Sequence, residues 1–149
     1  MPSDLWLADT NVLLRWVQPQ DRDFPLVLRV IDSLLKSGAV ICYTAQNLGE
    51  FWNVLTRPGR NNGYDFSIAQ AEARTKYIES NLHLLPDTQD VYLTWRRLLV
   101  AHSVRGVQVH DARLVAAMQS HGVARILTFN TRDFARYAAI EAHHPAQVS

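Results

Sequence analysis

Short apolar segments alternate with longer amphipathic segments along this sequence, and this alternation restricts the fold more than any other feature. The segments with strand character are residues 5–8, 39–43, 82–85 and 125–129, and Ile140 marks a weak further strand. The segments between them carry apolar residues at the three-and-four spacing of helices. Because neighbouring parallel strands need crossover connections, the pattern predicts an α/β fold, a doubly wound parallel sheet of four or five strands with helices on both faces.

Helix boundaries in the first half of the chain follow from capping residues and from Gly and Pro. A helix is predicted over residues 24–37, because Gly38 provides a stop signal. Thr44 is a capping residue for a helix that continues until Pro58 interrupts it. Ser67, with Gln three residues later, has the capping-box pattern that begins the next helix.

The second half of the chain contains similar signals. Asp87 is the predicted cap of a longer helix, and the pair at residues 110–111 opens another helix that ends near Gly122. A final short helix is predicted near Thr131, directly after the fourth strand segment. Each predicted strand is therefore followed by at least one helix, as a doubly wound sheet requires.

The chain has the size of one domain and the composition of a protein from a reducing compartment. Its 149 residues are enough for one hydrophobic core, so we expect a single domain over residues 1–149 with mobile ends at 1–3 and 143–149. Cys42 is the only cysteine, which excludes an internal disulfide. No apolar run approaches the roughly 18 to 20 residues that span a bilayer, and residues 1–4 lack a secretory pattern. We therefore expect a cytoplasmic protein without a membrane partner.

Four acidic residues on separate segments are the candidate functional groups. Asp9 ends the first strand, and Glu50 lies in the opening turns of the helix that follows the second. Asp111 begins the helix that leads into the fourth strand, and Asp133 follows that strand closely. In doubly wound sheets the ligand site lies beyond the carboxyl ends of the strands, where the strand order reverses. The four carboxylates are therefore expected to converge at that edge.

Each acid alone also has an ordinary structural interpretation. Asp111 and Asp133 are at helix starts, where an acidic residue contributes about 0.3 to 1 kcal/mol of stability. Glu50 fits equally well on a solvated helix face. Asp9 fits such an interpretation least, because it follows four apolar residues and precedes Thr10 and its neighbour Asn, which can hold a carboxylate by hydrogen bonding.

The four acids together are more informative than each one separately. Two carboxylates 5 Å apart repel each other by roughly 3 kcal/mol at an effective dielectric constant of 20, so a cation is needed to hold them together. The sequence offers oxygen donors and no cysteine or histidine pair at metal-binding spacing. This donor set favours the hard cations Mg²⁺ or Mn²⁺ over Zn²⁺. Such an ion activates water and stabilises charge during phosphoryl displacement.

The segments that contain these acids resemble, in order and spacing, the acidic motifs of PIN-domain ribonucleases. The segments are Leu7-Ala8-Asp9-Thr10-Asn11-Val12, Leu48-Gly49-Glu50-Phe51, Val109-His110-Asp111-Ala112-Arg113-Leu114-Val115-Ala116 and Leu127-Thr128-Phe129-Asn130-Thr131-Arg132-Asp133-Phe134. The likeness is greatest to the VapC-type toxins of type II toxin-antitoxin pairs and extends from residue 5 to about residue 145. Each motif alone occurs by chance, but all four in order with matching strand and helix contexts are specific.

This resemblance implies a metal-dependent endoribonuclease with a PIN-like fold. Carried over to this sequence, it implies that Asp9 and Asp111 bind the metal most directly, whereas Glu50 and Asp133 complete the catalytic site through waters. It also implies that a metal-bound water attacks the RNA phosphodiester, with no covalent enzyme intermediate and no side-chain base. The further partners implied are a second copy of the chain in a homodimer and a cognate antitoxin whose tail fills the active-site groove.

The sequence also contains candidate auxiliary residues around the four acids. Asn11 is an auxiliary polar residue beside Asp9, and Asn130 is either an auxiliary ligand or a turn residue. Arg113 and Arg132 are candidates for binding the RNA backbone, because each is close in sequence to a site acid and the arginine fork suits phosphate oxygens. The net charge of +1 does not by itself indicate a polyanionic partner.

Two other classes of protein fit parts of the pattern. A Mg²⁺-dependent phosphohydrolase that forms an aspartyl intermediate on Asp9 would need an acid where Asn11 stands and a lysine near the site, and neither Lys36 nor Lys76 adjoins a site acid. A receiver-like signalling module would also need that lysine and would not need Glu50. A PIN domain that only binds RNA or a partner without cleaving it is the remaining alternative, and the presence of all four acids argues against it.

Overall fold

A computed structural model describes residues 4–148, and it contains one parallel sheet between two layers of helices. The strands are β1 Leu5–Ala8, β2 Val40–Thr44, β3 His83–Leu85, β4 Arg125–Leu127 and β5 Glu141–His143. The helices are α1 Thr10–Trp16, α2 Phe24–Lys36, α3 Ala45–Thr56, α4 Ile68–Asn81, α5 Gln89–Ala101 and α6 Gln108–Ser120. Short 3₁₀-helices span Gly59–Asn61, Thr131–Phe134 and Pro145–Gln147. Residues 1–3, for which mobility was expected, lie outside the described residues, as does residue 149.

The strand order determines where a functional site can form. The sheet has the order β3-β2-β1-β4-β5, and all neighbouring strands are parallel. Trp6 in β1 pairs with Ile41 in β2 on one side and with Arg125 in β4 on the other. The chain thus extends the sheet from β1 in one direction and later returns to add β4 and β5 on the opposite side. The predicted doubly wound parallel sheet is confirmed, with the switch point between β1 and β4.

Alternate residues of the strands face two separate hydrophobic cores. Trp6 and Ala8 pack in the core that also contains the buried faces of α1, α2, α3 and α4, whereas Leu7 between them packs with α5 and α6. Ile126 and Leu127 in β4 are divided between the cores in the same way. Because side chains of a strand alternate between its faces, a buried parallel strand needs apolar residues at every position. This explains the apolar character of the sequence segments that form the central strands β1 and β2.

Several predicted boundaries are confirmed. The first long predicted helix corresponds to α2, which ends just before Gly38, and Gly38 has the left-handed φ of 92°. The hydroxyl of Thr44 caps α3, and the side chain of Ser67 caps α4, each within a capping box. Cys42 is fully buried, in agreement with its position in an apolar strand.

Two helix starts were predicted wrongly. The cap of α5 is Thr88, whose hydroxyl accepts a bond from the Val91 N–H at 3.2 Å, because the carboxylate of Asp87 is paired with Arg113 instead. The helix that was expected to open at residues 110–111 begins at Gln108. A turn at residues 105–107 provides carbonyl acceptors for the N–H groups of residues 108–110, so the helical bonding starts earlier than the acid that suggested it.

The strands at the β4 edge also differ from the prediction in extent. β4 ends at Leu127 rather than at Phe129, because the Phe129 N–H donates to the Asn11 side chain instead of continuing the sheet. The edge strand β5 begins one residue after Ile140, which is itself buried in the core. No helix within residues 4–148 is long and apolar enough to cross a membrane.

Replacement of Leu55 by Ala tests the packing of α3, the helix that carries Glu50. Leu55 is fully buried, so Leu55→Ala should lower the free energy of unfolding by about 2 to 5 kcal/mol, since it removes apolar contacts and leaves a cavity. Urea unfolding measures the change. Leu93→Ala, at a half-exposed position on α5, is the control and should cost less than about 1 kcal/mol. Equal losses in the two variants would contradict the assignment of Leu55 to the core.

Candidate active site

Asp9 is the most buried of the four acids and occupies the junction of β1 and α1. It caps α1, and its Oδ1 accepts a bond from the Thr10 N–H at 2.8 Å. Its Oδ2 accepts a bond from the Thr128 hydroxyl at 2.8 Å, and the Asn11 amide lies 3.4 Å from the same oxygen. The Asp9 N–H donates to the carbonyl of Leu127 in β4 at 3.0 Å. Asp9 is therefore fixed between β1 and β4, at the switch point of the sheet.

The surroundings of Asp9 disfavour its charged form. Only 8% of the residue is exposed, and this burial raises the pKa of the carboxyl group. The bonds from Thr128 and Thr10 act in the opposite direction, and the charges of Glu50 and Asp133 raise the pKa further. The net effect is a raised pKa, so in the absence of a cation the ionised carboxylate is destabilised at this position.

Glu50 projects from α3 towards the same region. Its Oε2 accepts a bond from the Thr10 hydroxyl at 2.8 Å, and its Oε1 accepts one from the Gln46 amide at 3.3 Å. The same Gln46 amide donates to the His110 carbonyl at 2.9 Å, which connects the start of α3 to the start of α6. Glu50 is half-buried, and these bonds attach its carboxylate to α1 and to its own helix α3.

Asp111 lies in the first turn of α6 and experiences the other three acids. Burial is the largest cause that raises its pKa, to about 6, and the charges of Asp133, Asp9 and Glu50 follow in that order. Asp133, in the 3₁₀-helix after β4, is exposed. Since the charge of Asp133 acts on both Asp9 and Asp111, the structure brings all four predicted acids into one electrostatic cluster.

The carboxylates do not form a ready-made cage of protein ligands. Within the part of the chain that the structure describes, no three Asp, Glu, His or Cys side chains lie close enough together to hold one metal ion. The donors are all oxygen atoms, which suits a hard divalent cation. Mg²⁺ in particular retains several waters and is usually bound through one or two carboxylates, so it does not require such a cage.

The two predicted auxiliary asparagines have different surroundings. The Oδ1 of Asn11 accepts a bond from the Phe129 N–H at 3.2 Å, and its Nδ2 lies 3.4 Å from Asp9 Oδ2 and 3.5 Å from Thr128 Oγ1. Asn11 therefore braces Asp9 against the end of β4. Asn130 is exposed, and its N–H donates to the Thr128 hydroxyl at 3.0 Å while its side chain does not cap the following 3₁₀-helix.

The two arginines singled out from the sequence also differ. Arg113 donates to Asp87 at 3.0 Å, so one of its guanidinium nitrogens already has an anionic partner on the α5 side. Arg132 is exposed on the 3₁₀-helix that carries Asp133. Arg132 is consequently the better placed of the two for an anion that approaches the acidic cluster from solvent.

Three residues of this region were missed by the sequence analysis: Gln46, Asn47 and Thr128. Thr128 had a recognisable signal, because it is the polar residue directly after the apolar core of β4, as Asp9 is after β1. One of the two contacts of the Asn47 side chain was predictable, because its position three residues after Thr44 is the one that completes a capping box. Nothing local predicted its second bond, from Asn47 Nδ2 to Thr10 Oγ1 at 3.2 Å, because that contact joins α3 to α1.

The fold and the site define a doubly wound α/β domain with a carboxylate cluster at its topological switch point. The PIN domain model matches residues 7–140, which is most of the chain, and the chain therefore belongs to the PIN-domain family. This membership separates it from phosphohydrolases with an aspartyl intermediate and from receiver modules. A sequence comparison with curated proteins finds no match.

Solved structures similar to this chain include proteins of toxin-antitoxin systems. VapC20 from Mycobacterium tuberculosis, a toxin that cleaves the sarcin-ricin loop, superimposes with a TM-score of 0.65 and 22% identity over 89% of this chain and 95% of VapC20. VapBC2 from Rickettsia felis, bound to promoter DNA, gives a TM-score of 0.69 and 13% identity over 94% of this chain and 98% of that one. FitAcB from Neisseria gonorrhoeae gives a TM-score of 0.65 and 17% identity over 96% of this chain and 99% of that one. At these identities the comparisons establish the fold.

The raised pKa of Asp111 predicts how stability depends on pH in metal-free protein. Between about pH 4 and 6 the folded chain retains a proton at Asp111 that the unfolded chain has released, so this group lowers stability as pH rises through that window. Above about pH 6, the free energy of unfolding of Asp111→Asn should therefore exceed that of wild type by on the order of 1 kcal/mol after solvent screening. Its urea midpoint should be correspondingly higher. The advantage should shrink as pH falls towards about 4.

The measurement is urea unfolding in EDTA at about pH 8, above this window, and at about pH 4.5, near its lower end. Asp32→Asn removes a carboxylate from an exposed position on α2 and is the matched control, with little expected change at either pH. An Asp111→Asn variant that is less stable than wild type at the higher pH would refute the electrostatic account.

Proposed function

We propose that this chain is a metal-dependent endoribonuclease and the toxin of a toxin-antitoxin pair. The observation that carries the proposal is the electrostatic cluster of Asp9, Glu50, Asp111 and Asp133, formed by four separate segments at the switch point of a PIN-domain fold. Acidic residues without a functional role would not be expected to lie this close together, since their mutual repulsion and the burial of Asp9 both cost stability.

The cluster fits a divalent cation by its chemistry. PIN nucleases generally use divalent metal ions, and the oxygen-only donor set here favours Mg²⁺ or Mn²⁺. Asp9 and Asp111 are the proposed direct ligands, because burial destabilises the charged forms of both carboxylates unless a cation is near. When bound, the ion supplies an activated water and stabilises the negative charge on the phosphodiester.

The other residues of the site have supporting roles in this proposal. Glu50 and Asp133 would complete the pocket and could hold a bound cation through its waters. Thr128, Asn11 and the Thr10 N–H hold Asp9 in place, since all three approach its oxygens. Asn130 is exposed and acts either as an auxiliary ligand or as a residue of the turn. No side chain needs to act as the general base if the bound water is already activated.

The partners follow from the relatives with this fold. The similar structures include a toxin-antitoxin complex from Klebsiella pneumoniae and a member of the VapBC family of toxin-antitoxin systems, and VapC20 is a toxin that cleaves the sarcin-ricin loop. By analogy, the proposed partners of this chain are an RNA substrate and a cognate antitoxin, and the resemblance to PIN-domain toxins adds a second copy of the chain. The surface around the site must determine which RNA is bound, because the fold and the carboxylates are shared by enzymes with different targets.

Asp9→Asn should abolish RNA cleavage and leave the fold intact. The substitution preserves size but removes the negative charge that a divalent ion requires, and it relieves the repulsion from Glu50 and Asp133. Cleavage of total RNA is measured with Mg²⁺, with Mn²⁺ and with a chelator, for wild type, for Asp9→Asn and for the exposed control Asp32→Asn. Cleavage that persists in Asp9→Asn and in chelator, with contaminating nuclease excluded, would overturn the proposed function.

Arg132→Gln should weaken RNA binding without a change in the chemistry. Loss of one phosphate contact should reduce the salt dependence of the binding constant by about one unit of the logarithmic slope. Binding is measured by titration of labelled RNA into the Asp9→Asn background, which prevents cleavage. Arg113→Gln is the comparison, and a smaller effect is expected because Arg113 is already paired with Asp87. An unchanged slope for Arg132→Gln would exclude this residue from the RNA-binding surface.

A further inference from the structure

A chain of hydrogen bonds below the acidic cluster begins at Thr44 and ends at Glu50. Asn47 Oδ1 accepts bonds from the Thr44 N–H at 3.0 Å and from the Thr44 hydroxyl at 2.9 Å. Asn47 Nδ2 lies 3.2 Å from Thr10 Oγ1, and that hydroxyl lies 2.8 Å from Glu50 Oε2. Asn47 has 0% of its surface exposed, although it is a polar residue in a layer of apolar packing.

The directions of the bonds in this chain follow from its two ends, the Thr44 N–H, which can only donate, and the Glu50 carboxylate, which can only accept. A backbone N–H can only donate, so the bond from Thr44 N–H requires the oxygen of the Asn47 amide to face Thr44. The NH₂ group must then face Thr10 and donate to its hydroxyl oxygen. The Thr10 hydroxyl has a single proton, which it donates to the Glu50 carboxylate, and the bond from Asn47 to its oxygen holds the hydroxyl in the rotation that makes this donation.

We propose that Asn47 is a positioning residue, which holds the Glu50 carboxylate in the active site by orienting the Thr10 hydroxyl towards it. The proposal deepens the proposed function and rests on it, because it assigns a role within the same site. Asn47 and Glu50 are both on α3, three residues apart, whereas Thr10 is on α1. The relay therefore fixes Glu50 relative to Asp9, whose own Oδ1 is bound by the Thr10 N–H.

The burial of Asn47 makes a purely solvent-facing or substrate-binding role impossible for its side chain. A buried amide that lost its partners would cost stability, so the group is retained only with all of its bonds made. An apolar residue at position 47 would remove that cost, but it would leave Thr10 free to rotate its proton away from Glu50. The function of the polar group is thus to impose a direction on the Thr10 hydroxyl.

Asn47→Asp is the sharpest test, because it keeps the shape and the acceptor for Thr44 but replaces the donor to Thr10 by an acceptor. The Thr10 proton is then drawn away from Glu50. Changes to groups that orient metal-site ligands typically cost roughly 10- to 100-fold in activity, and we expect a loss in kcat of that size with KM for RNA little changed. Asn53→Asp makes the same chemical change at an exposed position on the same helix and should keep wild-type kcat.

Two changes at Thr10 protect the test against a folding defect in Asn47→Asp. Thr10→Val is isosteric and removes only the hydroxyl, and it should lose as much kcat as Asn47→Asp does. Thr10→Ser keeps the hydroxyl that Thr10→Val lacks, and its kcat should be near that of wild type. The double variant Asn47→Asp/Thr10→Val should lose no more than Thr10→Val alone, since Asn47 acts through Thr10. Losses that multiply would assign Asn47 a general structural role and overturn the proposal.

Failure of this inference is distinguishable from failure of the proposed function. If wild type cleaves RNA and both Asn47→Asp and Thr10→Val retain its kcat, the positioning role is wrong and the ribonuclease assignment stands. If wild type does not cleave RNA, the ribonuclease assignment fails, and a crystal structure of Asn47→Asp then decides the positioning role. Displacement of Glu50 Oε2 from Thr10 Oγ1 supports it, whereas a retained bond between these atoms overturns it.

Discussion

The burial of the Asp9 carboxylate is the constraint on which the rest of the site depends. Asp9 follows the apolar strand β1 at the point where the strand order of the sheet reverses. β1 lies between β2 and β4 in the centre of the sheet. Hydrogen bonds from Thr10 and Thr128 reduce the cost of burial but do not cancel it, because the pKa of Asp9 remains raised. A site with this property gains stability from any cation that it admits.

The remaining acids arrive at Asp9 by different routes, and the fold tolerates their repulsion unequally. Asp111, in the first turn of α6, has a pKa raised to about 6 by burial and by the other three charges. Asp133 stays exposed, where water screens its charge, yet it still acts on Asp9 and Asp111. Stability is thus sacrificed locally to keep negative charges near one another, a pattern typical of functional sites.

Much of this arrangement was predictable because strand and helix periods are local properties of the sequence. The apolar run before Asp9 predicted β1 and the position of that acid at its end, and the capping residues Thr44 and Ser67 predicted the starts of α3 and α4 correctly. Asp87 failed as a cap for a non-local reason, since Arg113 from α6 claims its carboxylate and leaves the capping role to Thr88. The same limitation hid the role of Thr128, whose hydroxyl meets Asp9 across a separation of 119 residues.

The sequence by itself determined the class of fold, the order of the four acidic segments and the oxygen-only character of the donor set, because these depend on residue types and on spacing along the chain. Tertiary structure alone decided which atoms of these residues meet. Hydrogen-bond partners such as Asn47 and Thr10 lie on different helices, and their contact depends on how α1 and α3 pack over β1 and β2. Packing is a cooperative result of the whole core, so no local pattern encodes the direction of a bond that crosses it.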